Sequence, residues 1–180
     1  MVYFVRTIII SFLFFLPNIS ISQTSHSTFA TQQPISDSLP HAVGWTNDFE
    51  HLFTKDQIRM LDSSISSFEH KTKIEISIIT IDSSLTDQEN FDEFVNHIFH
   101  EWGVGKKELN NGIVIGISKQ FRKMRIRNGA GIVNILSDVE TKKIIDNDFI
   151  PMFKKGDYFE GTLNGLQFLM ATLKKKQPVN

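Results

Sequence analysis

Two runs of β-branched residues constrain the fold of this chain more than any other feature. Residues 74–81 and 112–118 are apolar at most positions, a composition typical of strands buried on both faces of a sheet. Between the two runs, large apolar residues recur at helical spacing: Phe91, Phe94, Val95, Ile98 and Trp102. A strand, a helix and a strand in this order predict a βαβ unit with parallel strands and a right-handed crossover.

The rest of the chain adds one strand and three helices. Residues 122–128 alternate cations with Met124 and Ile126, which predicts a third strand antiparallel to the second. Helix starts are indicated where Thr, Ser or Asp precedes Gln or Glu by three residues. These pairs are Thr54 with Gln57, Thr86 with Glu89, Ser137 with Glu140, and Asp157 with Glu160. The predicted fold class is α/β, a single compact domain with a mixed β-sheet, a βαβ unit and covering helices.

Residues 1–22 have the features of a cleavable signal peptide. Arg6 supplies a positive charge, an apolar run follows, and Ser20 and Ser22 occupy the −3 and −1 positions of a cut before Gln23. The alternative is an uncleaved membrane anchor, but the run over 8–16 is well short of the roughly 20 residues that span a bilayer. We therefore predict a periplasmic or secreted protein with no membrane span after signal cleavage.

Composition divides the remaining chain into three segments. Residues 23–42 are rich in Ser, Thr, Gln and Pro, which predicts a disordered linker. Residues 43–175 carry the strand and helix patterns and form the α/β domain, and residues 176–180 form a short tail.

Charge and cysteine content exclude several classes of function. Lys and Arg number 19 against 20 Asp and Glu, for a formal net charge of −1, so no broad positive field favours nucleic acid as a partner. The sequence has no cysteine, which excludes a disulfide framework, a cysteine-based zinc site and a thiol nucleophile. We expect a monomer.

Topology places two polar loops together. If the second and third predicted strands pair antiparallel, the loop containing Asn110 and Asn111 lies at the same edge of the sheet as the loop 128–131, and Asp138 follows closely. Such a rim could hold a hard cation through oxygen ligands or an anion through backbone N–H groups. Ordinary turn formation explains the Asn-Gly and Gly-Ala-Gly sequences equally well.

Taken in order, these motifs resemble the TPM domain family. The segments that carry the resemblance are Asn47-Asp48, residues 102–105, 111–114, 122–126, 129–132, 136–138 and 151–158. The resemblance implies a compact α/β sandwich outside the cytoplasm. It also implies a rim formed by Asp48, Asn110, Asn111 and Asp138 as ligands for Ca²⁺ or another divalent cation. Many relatives have carboxylates where this chain has Asn110 and Val133, so its rim carries less negative charge.

Two functions follow from the resemblance, because known activities in the family are divided. The first is an exported, non-catalytic binding or assembly and quality-control module that recognises an envelope protein and binds a cation. The second is a weak metal-assisted acid phosphatase, in which Asp48 and Asp138 hold the cation that polarises a phosphomonoester. We favour the binding module, because the sequence lacks a cysteine nucleophile and an Arg-His-Gly motif, and because its rim is depleted in carboxylates.

Overall fold

A computed structural model describes residues 39–177. The predicted signal peptide, most of the predicted linker and the end of the tail lie outside the described residues. Leu39 and Pro40, which the sequence assigns to the linker, contact the domain: Leu39 packs in a core cluster and the Pro40 carbonyl accepts a 2.7 Å hydrogen bond from the Trp102 indole. Within residues 39–177 no helix is both long enough and apolar enough to cross a membrane.

The sheet has four strands in the order β1-β2-β3-β4. They are β1 (Thr46–Asp48), β2 (Glu75–Thr80), β3 (Gly112–Ser118) and β4 (Lys123–Asn128). β1, β2 and β3 are parallel, while β4 is antiparallel to β3. The prediction of a mixed sheet with a βαβ unit is confirmed, and β4 is one edge of the sheet.

Six α-helices and one π-helical segment complete the described domain. They are α1 (Lys55–Thr72), α2 (Phe91–Glu101), α3 (Ala130–Val133), α4 (Asp138–Ile144), the π-helical segment (Ile145–Phe149), α5 (Ile150–Phe153) and α6 (Tyr158–Lys176). Both bonds of the capping box form at Thr54 and at Ser137, and Asp157 caps α6. Three of the four predicted helix starts are thus confirmed.

The helix start predicted at Thr86 is wrong. α2 begins at Phe91 after Asn90, which makes no side-chain capping bond. The Asp87 carboxylate instead accepts bonds from the backbone N–H and the side-chain amide of Asn90, at 2.8 and 3.0 Å. These bonds close a turn just before the helix, because a short polar side chain can compete for local backbone donors.

The two faces of the sheet are covered by different helices. α1, α4 and α6 bury one face with Ile76, Ile78 and the odd-numbered isoleucines of β3, while α2 buries the other with Ile79 and Val114. Gly116 lies under α2, where an added Cβ would be 2.4 Å from a Val95 methyl. Because side chains alternate between the two faces along β2 and β3, the domain has three layers. They are α2, the sheet, and the helices α1, α4 and α6.

A notch of two glycines in α6 positions the π-helical segment. A Cβ added to Gly165 would lie 2.2 Å from the Phe149 ring, and one added to Gly161 would lie 2.6 Å from the Phe153 ring. The two rings make an edge-to-face contact with centroids 6.1 Å apart. This close packing fixes the π-helical segment and α5 at the side of the domain where β4 forms the sheet edge.

Candidate functional site

The structure places Asp48 away from the predicted rim. Asp48 pairs with Thr80, which pairs with Ile117 near the end of β3, whereas Asn111 precedes the first residue of β3. Asp48 therefore lies at the opposite end of the parallel strands from Asn111. The structure does not bring Asp48 together with the two asparagines, because a residue at the end of a parallel strand cannot reach the start of its neighbour.

The carboxylate of Asp48 is occupied by the fold. Its Oδ1 accepts bonds from the Leu52 N–H at 3.0 Å and from the Thr80 hydroxyl at 2.6 Å, and its Oδ2 accepts one from the Phe53 N–H at 2.8 Å. These bonds tie the turn after β1 to the end of β2. Asp48 therefore has a structural role in the described domain.

Asn110 and Asn111 lie beside the loop after β4, as the antiparallel pairing predicts. The Gly129 N–H donates to the Gly112 carbonyl at 2.9 Å, and the Gly131 N–H donates to the Asn110 carbonyl at 3.0 Å. A Cβ at Gly129 would lie 2.2 Å from the Asn110 oxygen, so this close approach requires glycine.

The side chain of Asn111 serves the turn. Asn111 is 8% exposed, its Oδ1 accepts a 2.9 Å bond from the Lys106 N–H, and its Nδ2 donates to the Lys73 carbonyl. The Asn111 side chain thus takes part in the turn, as the alternative of ordinary turn formation implies for it. Within the described part of the chain, no cluster of three or more His, Asp or Glu side chains could hold a metal ion. Asp48 lies apart from Asn110 and Asn111, the two predicted ligands in the loop before β3.

Asp138, the remaining predicted ligand, opens onto a cavity beside β4. It is the exposed first residue of α4. The cavity has a volume of about 610 Å³ and lies between β4 on one side and α4 with the π-helical segment on the other. A second cavity of about 680 Å³ continues past the start of β4 to α5 and Tyr158. The two cavities share Arg122, Lys123 and Ile150, and together we call them the β4 groove.

The groove is strongly cationic although the chain is nearly neutral. Its first cavity has three carboxylates, of Asp92, Asp138 and Asp146, whereas the second has none. Lys and Arg side chains line both cavities: Lys119, Arg122, Lys123, Arg125, Arg127, Lys142, Lys154 and Lys155. Two of the carboxylates pair within the groove, Asp146 with Lys142 at 2.7 Å and Asp92 with Arg125 at 3.5 Å. A surplus of positive charge remains for an acidic ligand.

Two polar groups in the groove lack a partner. Asn128 is 3% exposed; its Nδ2 donates to the Thr141 hydroxyl at 2.8 Å, but its Oδ1 accepts no bond. The Nε of Arg125 is also buried without a partner. Because a buried polar atom without a hydrogen bond costs about 1–3 kcal/mol, these two atoms favour a ligand that supplies both a donor and an acceptor.

The outer edge of β4 offers backbone groups as well. The Gly129 N–H donates to the Gly112 carbonyl across the antiparallel pair. Because peptide groups that face the partner strand recur at every second residue, those of Arg127, Arg125 and Lys123 also face β3. The intervening Met124 and Ile126 direct theirs into the groove. No element within residues 39–177 bonds to these outward groups of Met124 and Ile126.

Tyr158 closes the second cavity with a protonated hydroxyl. Burial, aided by the Glu50 carboxylate, raises the pKa of the Tyr158 phenol, and the nearby Arg122 opposes that rise. The Lys119 ammonium lies 6.0 Å from the centre of the Tyr158 ring. At neutral pH Tyr158 therefore presents a neutral hydrogen-bond donor among cations.

The sequence predicts β4, which forms one wall of the groove, but not the groove itself. The alternating cations of residues 122–127 are also typical of the polar side of an edge strand, where such charges discourage aggregation. The facing wall comes from α4, the π-helical segment and α5, about 20 residues further along the chain. π-Helical segments within helices often occur at functional sites, but nothing in residues 145–149 signals one in advance.

Comparisons with known proteins agree with this architecture. The family model described as the TPM domain matches residues 46–172. The fold is similar to the solution structure of the N-terminal domain of a P. gingivalis protein, with 22% identity, a TM-score of 0.67, and coverage of 76% of this chain and 88% of that one. It is also similar to the BA42 protein of Bizionia argentinensis, with 22% identity, a TM-score of 0.63, and coverage of 73% and 88%.

A third solution structure extends the likeness to a more divergent sequence. The N-terminal domain of the cg2496 protein from Corynebacterium glutamicum has 12% identity and a TM-score of 0.57, with coverage of 80% of this chain and 89% of that one. At these identities the likeness shows the fold alone. No curated protein matches the chain.

Proposed function

The chain belongs to the TPM domain family, and from that premise we propose that it is a non-catalytic binding module of the cell envelope whose partner occupies the β4 groove. The envelope location rests on the signal peptide predicted over residues 1–22. The binding role rests on the chemistry of the groove, since a fold shared by a family does not by itself assign a function.

The observation that carries the proposal is the combination of an open strand edge with unpartnered buried atoms. Native proteins usually satisfy buried polar atoms, and they usually cover or shorten an exposed strand edge. Here the Asn128 Oδ1 and the Arg125 Nε lack partners beside the outward peptide groups of Met124 and Ile126. A partner bound along this edge would pair with the outward peptide groups and bring further donors and acceptors beside both side-chain atoms.

Residues suited to catalysis are sparse in the groove. No histidine is among the residues that line its two cavities. Ser118 is 1% exposed, and its hydroxyl accepts a 3.1 Å bond from the Phe121 N–H, so it is poorly placed as a nucleophile. Asp48 and Asp138 are the carboxylates of the phosphatase alternative. Asp48 lies at one end of the strands, whereas Asp138 begins α4, which contacts Asn128 at the other end. These features support binding over hydrolysis.

Site-specific crosslinking in the producing cell tests the proposal. A photo-reactive amino acid replaces Lys142, which lines the groove, or Lys143, which is exposed beside it and lines neither cavity. We expect a discrete crosslinked product from position 142 and little or none from position 143. Equal products from both positions, or none from either, would contradict a partner in the groove.

A hydrolysis assay distinguishes the enzymatic alternative. The purified protein, Asp48→Ala and Asp138→Ala are incubated with a generic phosphomonoester and Mg²⁺ or Mn²⁺. We expect the same background rate in all three samples, since a trace contaminating phosphatase affects them equally. A metal-dependent rate that both substitutions abolish in folded protein would favour the phosphatase.

A further inference from the structure

We propose that the partner in the β4 groove is an extended acidic peptide segment that pairs with β4 as a fifth strand of the sheet. The inference rests on the proposed function and specifies its mode. Strand addition uses backbone hydrogen bonds for affinity and alternate side chains for specificity. The groove therefore has to offer free backbone groups along β4 and suitable surroundings for the side chains of the added strand.

The backbone requirement is met by two residues on the open edge. Met124 and Ile126, with one residue between them, present their peptide N–H and C=O groups outward. These groups have no partner among the described residues. An extended peptide repeats its own outward groups every second residue, at a spacing of about 6.6–6.8 Å. The edge therefore offers a register of donors and acceptors that an extended chain matches without rearrangement.

One side of that edge selects for negative charge. Along β4 the side chains of Lys123, Arg125 and Arg127 lie on the face covered by α2. There Arg125 pairs with Asp92, and the Arg127 guanidinium is held 5.0 Å from the centre of the Phe99 ring. Every second side chain of an added strand would lie beside this cationic row. Opposite charges in neighbouring strands stabilise their pairing, so these positions of the peptide are acidic.

The other side of the edge is less polar. Met124 and Ile126 belong to the core cluster on this face, and Ile145 and Ile150 line the groove opposite them. The remaining side chains of the peptide therefore meet an apolar wall. The partner segment alternates acidic with aliphatic residues, and near its end an N–H reaches the Oδ1 of Asn128.

The same charges disfavour a second copy of this chain as the occupant. If β4 paired with β4 of another molecule, the two rows of Lys123, Arg125 and Arg127 would lie side by side on neighbouring strands. Like charges opposite one another destabilise strand pairing. The same cationic side chains attract an acidic segment but repel a second copy of β4.

The test uses a synthetic peptide, acetyl-(Glu-Val)4-amide, and the purified protein labelled for NMR. We expect saturable binding, with slowed hydrogen exchange at the Met124 and Ile126 amides. Two further peptides have the same sequence but carry N-methyl groups, one on the valines and the other on the glutamates. Each keeps its charge and loses the N–H donors of one edge, so each controls for the bulk of the methyl groups in the other. One of the two should bind at least about tenfold more weakly, because only one edge of an added strand faces β4.

Charge is tested separately with matched variants. Arg125→Gln and Arg127→Gln should each weaken binding of the peptide severalfold, whereas Lys143→Gln, outside the groove, should not. The peptide acetyl-(Lys-Val)4-amide should not bind. A Met124→Pro variant removes an outward N–H that β3 does not use, and it should weaken binding while circular dichroism and the melting temperature report whether the sheet is retained.

The outcomes separate this inference from the proposed function. Crosslinking at position 142 without protection of the Met124 and Ile126 amides would leave a partner in the groove but overturn strand addition. Equal binding of both N-methylated peptides would also overturn it. Amide protection that increases with protein concentration in the absence of peptide would identify a second copy instead. Failure of both the crosslink and the peptide would overturn the proposed function as well.

Discussion

The Thr80 hydroxyl donates a 2.6 Å hydrogen bond to the Asp48 carboxylate, across the parallel pairing of β1 with β2. The same carboxylate accepts the N–H groups of Leu52 and Phe53. β1 has only three residues, and this one carboxylate links the short strand to the turn after it and to the neighbouring strand.

Replacement of Asp48 should therefore weaken the fold. We expect Asp48→Asn to lower the free energy of unfolding by about 1–3 kcal/mol, because an amide cannot accept all of the bonds that the carboxylate accepts. Asp138→Asn, at an exposed helix start, is the matched control and should cost less than about 1 kcal/mol. Urea denaturation measures both. An equal loss in the two variants would contradict the structural role of Asp48.

Calcium tests the four predicted ligands. Asp48 lies at the other end of the strands, and the Asn111 amide is committed to Lys73 and Lys106. We therefore expect millimolar Ca²⁺ to shift the melting temperature equally in wild type, Asp138→Asn and Asn110→Asp. A ligand that binds only the folded state raises the melting temperature by mass action. A shift that Asn110→Asp enlarges and Asp138→Asn removes would show that a cation binds there after all.

The strands and the juxtaposition of the two polar loops were predictable because both depend on local pattern. Residues 74–81 and 112–118 are β-branched over most of their length, and the pairing of β3 with β4 follows from the short turn between them. That pairing is sufficient to bring Gly129 beside Gly112. In contrast, β1 is too short to show a periodic pattern of apolar residues. The sequence therefore did not predict that Asp48 lies at the other end of the strands.

The groove could not be predicted because its second wall depends on packing between distant residues. The π-helical segment lies where it does because the Phe149 ring fits over Gly165 of α6. Neither residue shows this in isolation, since a glycine within an amphipathic helix has many explanations. The partnerless Oδ1 of Asn128 likewise depends on where Thr141 lies.

The glycine notch gives a stability prediction. Gly165→Ala should be destabilising by about 1–3 kcal/mol, because its Cβ would lie 2.2 Å from the Phe149 ring and the core must shift. This loss should exceed the roughly 1 kcal/mol that alanine gains over glycine in a helix. Gly44→Ala is the control, since its Cβ would meet its nearest neighbour at an ordinary 3.7 Å. A stabilised Gly165→Ala variant would show that the ring does not occupy the notch.

Export gives a prediction about the residues before the described domain. The Ser20-Ile21-Ser22 sequence and the short apolar run should direct cleavage before Gln23. N-terminal sequencing of the protein from the periplasm or the medium should begin at Gln23, and Ser22→Arg should retain the precursor. An intact Met1 on protein from the membrane fraction would instead indicate the uncleaved anchor.

Glu140 links stability to acid pH. A hydrogen bond from the Lys176 ammonium at 2.5 Å, followed by bonds from the backbone and hydroxyl of Ser137, lowers the pKa of Glu140 to about 2 from its ordinary 4.5. Because the folded state favours the ionised carboxylate, its contribution is fully present above pH 4.5 and is lost as the pH falls toward 2.

We therefore expect the free energy of unfolding to decrease less between pH 4.5 and pH 2 in Glu140→Gln than in wild type. Lys176→Gln should show part of the same change, since the Ser137 bonds remain. Glu93→Gln, at an exposed position of α2, should follow wild type. Urea denaturation across this pH range measures the difference at one ionic strength, because salt screens the exposed pair with Lys176. Parallel curves for wild type and Glu140→Gln would show that the carboxylate is not held by these bonds in solution.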